Sequence, residues 1–172
     1  MNSVLLKEFV QFFTLTDAAA TERISERLRL GLRDPAAYQE QFAEELGERG
    51  IVAELPPQEL RDIALIDALL AEDLAWESDW KDTAADMAEG LNEILSCQNR
   101  PHPLRPSALG RGRGEPGPEQ LDTVQDALEA QGLALVLFTL DSDSYPLSIV
   151  ADEQAENLRQ SARELGFGVT VY

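Results

Sequence analysis

Asp141 and Asp143 stand one residue apart in LVLFTLDSDSYPLSIV, residues 135–150, at the end of an apolar run. Two carboxylates at that spacing can hold a hard cation such as Mg²⁺, or can sit in a turn and accept backbone hydrogen bonds. Such a cation takes about six or more oxygens, and no EF-hand spacing follows, so DSDS reads first as a turn. Asp67 is the second candidate. On a helix it falls within the apolar arc of Leu60, Ile63, Leu70 and Leu74, where a carboxylate has to be paired, hydrogen-bonded or neutral. Lys81 is a candidate partner; the alternative is an acid of raised pKa in a cleft. WESDWK, residues 76–81, adds two tryptophans, with Trp80 fitting the apolar stripe of the helix that follows and Trp76 stapled onto it.

Little else offers chemistry. His102, the single histidine, lies between two prolines, where a general base would not be held rigidly beside a nucleophile. Cys97, the single cysteine, has no neighbouring group that marks an activated thiolate. No Cys/His zinc set, glycine-rich phosphate loop, kinase signature or hydrolase signature occurs. The sequence therefore assigns no catalytic residue, no metal ligand set and no cofactor.

The elements that must position these residues divide at a compositional break. Residues 1–97 read as helices: a first stripe of Leu5, Phe9, Phe12 and Phe13, a second helix capped near Thr16–Asp17, and a third opened by Asp34–Pro35. A fourth runs from Pro56–Pro57 to about Leu74, and a fifth is capped by Ser78 or Asp79. Residues 98–118 collect prolines, glycines and the arginines 100, 105, 111 and 113, and read as a flexible loop or linker. After it come a short helix, strands at about 133–141 and 145–150, a helix over 152–165 stopped by Gly166, and a last strand over 167–172.

If Ser142–Asp143 is a two-residue turn, Leu140, Phe138 and Val136 face Tyr145, Leu147 and Ile149, and every pair is apolar. The first of these strands is apolar on both faces and should be central, while Pro146 suits an edge. The expected fold is a single α+β domain, 1–172. Its small three-stranded mixed sheet has the order third–first–second. The 152–165 helix covers one face of that sheet and the N-terminal helices the other.

The pieces DWK (79–81) and LDSDSY (140–145), with the strand–helix–strand ending, resemble a bacterial family described only as a domain of unknown function. The resemblance covers mainly residues 60–97 and 133–172. It implies an α+β fold and directs attention to Asp79, Trp80, Lys81, Asp141, Asp143 and Tyr145, without lending any activity.

A net charge of −18 repels nucleic acid and anionic membranes and attracts basic partners. The N-terminus lacks a basic region and a cleavage site, and no uncharged apolar run can span a bilayer, so the expectation is a soluble cytoplasmic protein. Two functions remain. One is an acidic binding protein, of inhibitor or immunity type, that masks a basic protein. The other is a small Mg²⁺-dependent enzyme using Asp67, Asp79, Asp141 and Asp143. Clustering of those four carboxylates in one pocket favours the enzyme, and dispersal favours the binder.

Overall fold

The computed structural model describes residues 2–109 and 117–172. These form, in chain order, α1 (Ser3–Thr14), α2 (Ala18–Arg33), α3 (Pro35–Gln41), α4 (Ala43–Glu48), α5 (Pro57–Leu70), β1 (Trp76–Asp79), α6 (Ala84–Cys97), α7 (Pro118–Glu129), β2 (Leu133–Phe138), β3 (Ser144–Ala151), α8 (Ala155–Leu165) and β4 (Val169–Val171). The helix starts follow local chemistry. Asn2, Asp17 and Asp34 each accept hydrogen bonds from first-turn N–H groups that would otherwise lack partners. Thr83 and Asp86 form a reciprocal capping box at the start of α6. Gly166, at φ 84°, ends α8 in the left-handed conformation that glycine adopts without a steric penalty.

The fold is α+β, with a four-stranded antiparallel sheet in the order β1-β3-β2-β4. The expected three-stranded mixed sheet is corrected in two respects. The order of the last three strands stands, but β1 is added at the far edge, formed by residues assigned in sequence to a helix start. No pair is parallel, because β4 runs alongside β2 rather than β3 and so opposes its neighbour. Pro146 lies in an inner strand, opposite Glu77 and just beyond the last β2–β3 pair, Leu137 with Leu147, so its missing N–H interrupts no β2 pairing.

The hairpin register is also shifted by one residue. Leu137 faces Leu147, Val136 faces Ser148 and Leu135 faces Ile149, around a connection of residues 139–143 rather than a two-residue turn. Apolar pairing alone could not choose between these registers, because β2 is apolar on both faces. Buried Ser148 faces the N-terminal helices instead and donates to the Leu74 carbonyl at 2.6 Å.

The sheet is covered on both sides. One core gathers α1, α2, α5 and α8 over Ala134, Val136, Phe138 and Val150. The other packs α6 and α7 on Leu133, Leu135, Leu147 and Ile149. Thus α8 shares its face with α1 instead of lying opposite the N-terminal helices. Buried Gln98 ties the layers together, donating to the carbonyls of Phe13 at 3.1 Å and Ile149 at 2.9 Å.

The segment read as a flexible loop, 98–118, is docked over its described beginning. Leu104 is buried in the second core, its backbone is held at both N–H and C=O by Asn92, and Pro106–Ala108 form a 3-10 turn. Residues 110–116, with Arg111 and Arg113, lie outside the described residues.

Candidate functional site

The β1–β3 pairing brings DWK and LDSDSY to one corner. Asp79 lies opposite Ser144 and Ser78 opposite Tyr145, and the Trp80 N–H donates to the Asp143 carbonyl at 3.0 Å. The corner is a fixed turn. Asp79 Oδ1 accepts from the Lys81 N–H at 2.8 Å, and Asp82 Oδ2 accepts from Ser78 Oγ at 2.7 Å and the Asp79 N–H at 3.0 Å. Trp80 leaves the core position assigned to it in sequence and is 41% exposed, with Lys81 Nζ 5.3 Å from its ring centroid. Trp76 takes the packed role, seated against Gly90 of α6.

At the hairpin tip the serines organise the connection. Ser142 Oγ accepts from the Ser144 N–H at 3.1 Å and lies 2.8 Å from Ser144 Oγ. The Asp141 and Asp143 side chains make no hydrogen bond or ion pair with another described residue and are exposed. DSDS is therefore a turn, but not one capped by its aspartates as expected.

Asp67 is 8% exposed, and its partner is Arg49 rather than Lys81. Arg49 Nε and Nη2 both donate to Asp67 Oδ1, at 3.0 and 2.5 Å, and Nη2 also donates to Glu77 on β1. Asp67 Oδ2 is buried without a partner. Burial pushes the Asp67 carboxyl above its ordinary value and outweighs the opposing pull of Arg49. Beside this pair, Arg27 stacks 4.0 Å from the Phe42 ring centroid, donates to Tyr38 Oη at 3.0 Å and pairs with Glu45 at 2.5 Å. Burial raises the Tyr38 hydroxyl to about 12, although Arg27 pulls it down.

Arg49 stands between two clefts. One, of about 480 Å³, is lined by Glu45, Glu48, Asp67, Leu70 and Glu77. The other, of about 400 Å³, is lined by Ile51, Leu55, Asp62, Thr139 and Asp141. In the second, buried Asp62 accepts from the Gly168 N–H at 2.8 Å. A Cβ on Gly168 would fall 2.6 Å from Thr139 Oγ1, so the close approach requires glycine.

The structure thus unites Asp79, Trp80, Lys81, Asp143 and Tyr145 at one corner, while Asp67 and Asp141 line separate clefts. Among the described residues no group of three or more His, Cys, Asp or Glu side chains is placed to hold a metal ion. Arg49, Glu77 and Asp62 escaped the sequence reading. Arg49 alone left a signal, being the only cation between Arg33 and Arg61.

Fold and site together define a three-layer α+β protein with an acidic corner bearing an exposed tryptophan. Among the described residues no helix is long and apolar enough to cross a membrane. A family model described as Domain of unknown function (DUF6630) matches residues 5–172, and the chain belongs to that family. The match takes in α2 to α4, most of α1 and the arginine-bearing segment, which the sequence resemblance had left outside. No curated protein and no solved structure matches the chain.

Proposed function

We propose that the protein is a cytoplasmic binding protein, of inhibitor or immunity type, that masks a basic protein partner through the corner carrying Asp79, Trp80 and Asp143. The observation that carries this reading is Trp80, 41% exposed on a turn fixed by backbone hydrogen bonds and set beside exposed carboxylates. Tryptophan is over-represented among residues that dominate interface energies, because it contributes a large rigid area at little conformational cost. The surrounding charge, within a chain of net −18, steers a basic partner toward the corner and disfavours acidic ones. The Mg²⁺-enzyme reading has less support: Asp67 is bound to Arg49, Asp79 accepts from backbone, and Asp141 lines a different cleft from Asp67.

The test is cross-linking in native cytoplasm to identify the partner, followed by association kinetics on the purified pair. A basic partner is expected, with an association rate that falls as salt rises and a dissociation rate that rises with Trp80→Ala. An acidic partner, or binding indifferent to both salt and Trp80→Ala, would sink the reading. A saturable Mg²⁺ site abolished by Asp143→Ala would revive the enzyme.

A further inference from the structure

We propose that the cleft between the 49–56 connection, the start of α5 and the hairpin tip is a docking site for one apolar side chain of a basic protein, flanked in that partner by lysine or arginine. This deepens the function proposed above and rests on it.

The walls of this cleft are apolar and incompletely covered. Ile51, Leu55 and Leu140 pack against the first core yet remain partly exposed, and buried Ile63 completes the apolar lining. Val52, in the same connection, is 94% exposed. The connection is pinned rather than loose. Ile51 N–H donates to the Leu46 carbonyl at 2.9 Å, Gln39 Nε2 donates to the Ala53 carbonyl at 2.6 Å, and Gln39 Oε1 accepts from the Leu55 N–H at 3.3 Å. Val52 is thus held outward by its neighbours' backbone bonds. Contiguous exposed apolar surface with a polar rim marks interaction sites, whereas scattered exposed residues do not. A loop already fixed in shape also pays less ordering entropy when a partner arrives. At about 400 Å³ the cleft has room for one side chain the size of leucine or phenylalanine.

Charge selects what flanks the entering side chain. Glu59 and Asp141 line the cleft, are exposed and make no ion pair with another described residue, and Glu54 is exposed in the connection. Arg49, also in the lining, is already held by Asp67 and Glu77. The apolar walls are therefore rimmed by uncompensated acid, which complements a segment that sets cationic residues beside an apolar one and disfavours an acidic segment. Position joins the cleft to the corner. Asp141 and Asp143 stand two residues apart on one hairpin tip, at most about 7 Å along the chain. The Asp143 carbonyl accepts from the Trp80 N–H at 3.0 Å. One partner can thus engage both, and Leu140 and Asp141, the part of LDSDSY that the corner leaves unused, gain a role.

The experiment titrates ¹⁵N-labelled protein with the capped tripeptide Lys-Leu-Lys, using Lys-Ser-Lys and Glu-Leu-Glu as controls for the apolar and the charged part. Saturable shifts are expected at Ile51, Leu55, Leu140 and Asp141 with Lys-Leu-Lys, and none with Glu-Leu-Glu. Replacing the central leucine by serine should weaken binding at least about tenfold, and so should Val52→Asp or Asp141→Lys, both changes at exposed positions. Glu8→Lys, an exposed change of the same charge on α1, should leave the affinity as it is. Shifts that scatter without saturating, equal binding of the leucine and serine peptides, or equal losses from Glu8→Lys and Asp141→Lys would overturn the proposal. Such a result leaves Trp80-dependent capture of the whole partner standing. If the cleft takes Lys-Leu-Lys while no basic protein is found in the cytoplasm, the function proposed above fails and the docking site remains.

Discussion

Arg49 joins two carboxylates from separate elements, Asp67 of α5 and Glu77 of β1, and its substitution tests how a partly buried pair is held. Removing Arg49 leaves two carboxylates uncompensated, so Arg49→Ala should cost on the order of 3–5 kcal/mol in urea unfolding, and Asp67→Ala less, because Glu77 still pairs Arg49. Replacing both, as Arg49→Met with Asp67→Leu, should cost much less than the sum of the single changes. Additive losses would mean that the two side chains do not act as a pair. Tyr38 makes the pH prediction. Its hydroxyl rises from the ordinary 10.0 to about 12 in the folded protein, so the folded state holds the proton more tightly between those values. Stability is then intact below pH 10 and falls as pH rises toward 12, a loss of roughly 3 kcal/mol. Thermal melts of Tyr38→Phe should show a shallower alkaline decline than wild type; equal slopes would refute the assignment. At this scale the burial of Asp67 was legible, because a carboxylate inside an apolar helical arc has few other places to go. Its partner was not, since Arg49 meets Asp67 only through the packing of the turn after α4 on α5.

The helix ends set by Asp17, Asp34 and Gly166 were readable in sequence, because caps depend on a few adjacent residues. β1 was not. Four residues show no decisive period, and WESD becomes a strand only because β3 offers it a free edge. The β2–β3 register was missed for a related reason: a strand apolar on both faces satisfies either alignment, and the choice fell to Ser148 and its bond to Leu74. Gly90 permits a sharper test of β1. In a free helix Gly→Ala stabilises by about 1 kcal/mol. Here the new Cβ would lie 2.2 Å from the Trp76 indole, and overpacking of that kind costs about 1–3 kcal/mol. Because the clash is with a ring rather than a flexible side-chain end, destabilisation should win and Trp76 fluorescence should shift. A Gly90→Ala protein more stable than wild type would show that Trp76 is not seated as described.

Across the whole molecule the two cores share one sheet, and the first, running from Leu6 to Val171, draws the first and last elements into the same layer. Urea unfolding followed by circular dichroism and by tryptophan fluorescence should therefore give coincident single transitions. Separate midpoints would point to independently folding parts. Charge acts at the same scale. Duplex DNA requires a matching set of cations to neutralise its phosphates, and a chain of net −18 supplies too few. Fluorescence anisotropy should detect no saturable DNA binding at physiological salt, and sub-micromolar binding there would reassign the arginines at 100–113 as a nucleic-acid arm. The edge position of β1 also bears on when the protein can act. On the ribosome Trp76 and Trp80 emerge well before Leu147, the residue that Trp76 must find, and Asp143, the acceptor for the Trp80 N–H. Until that stretch has been synthesised the corner has no strand to pair with, and a chain that stops before it lacks the assembled corner. The binding proposed for this corner thus has the translation of β3 as its earliest moment.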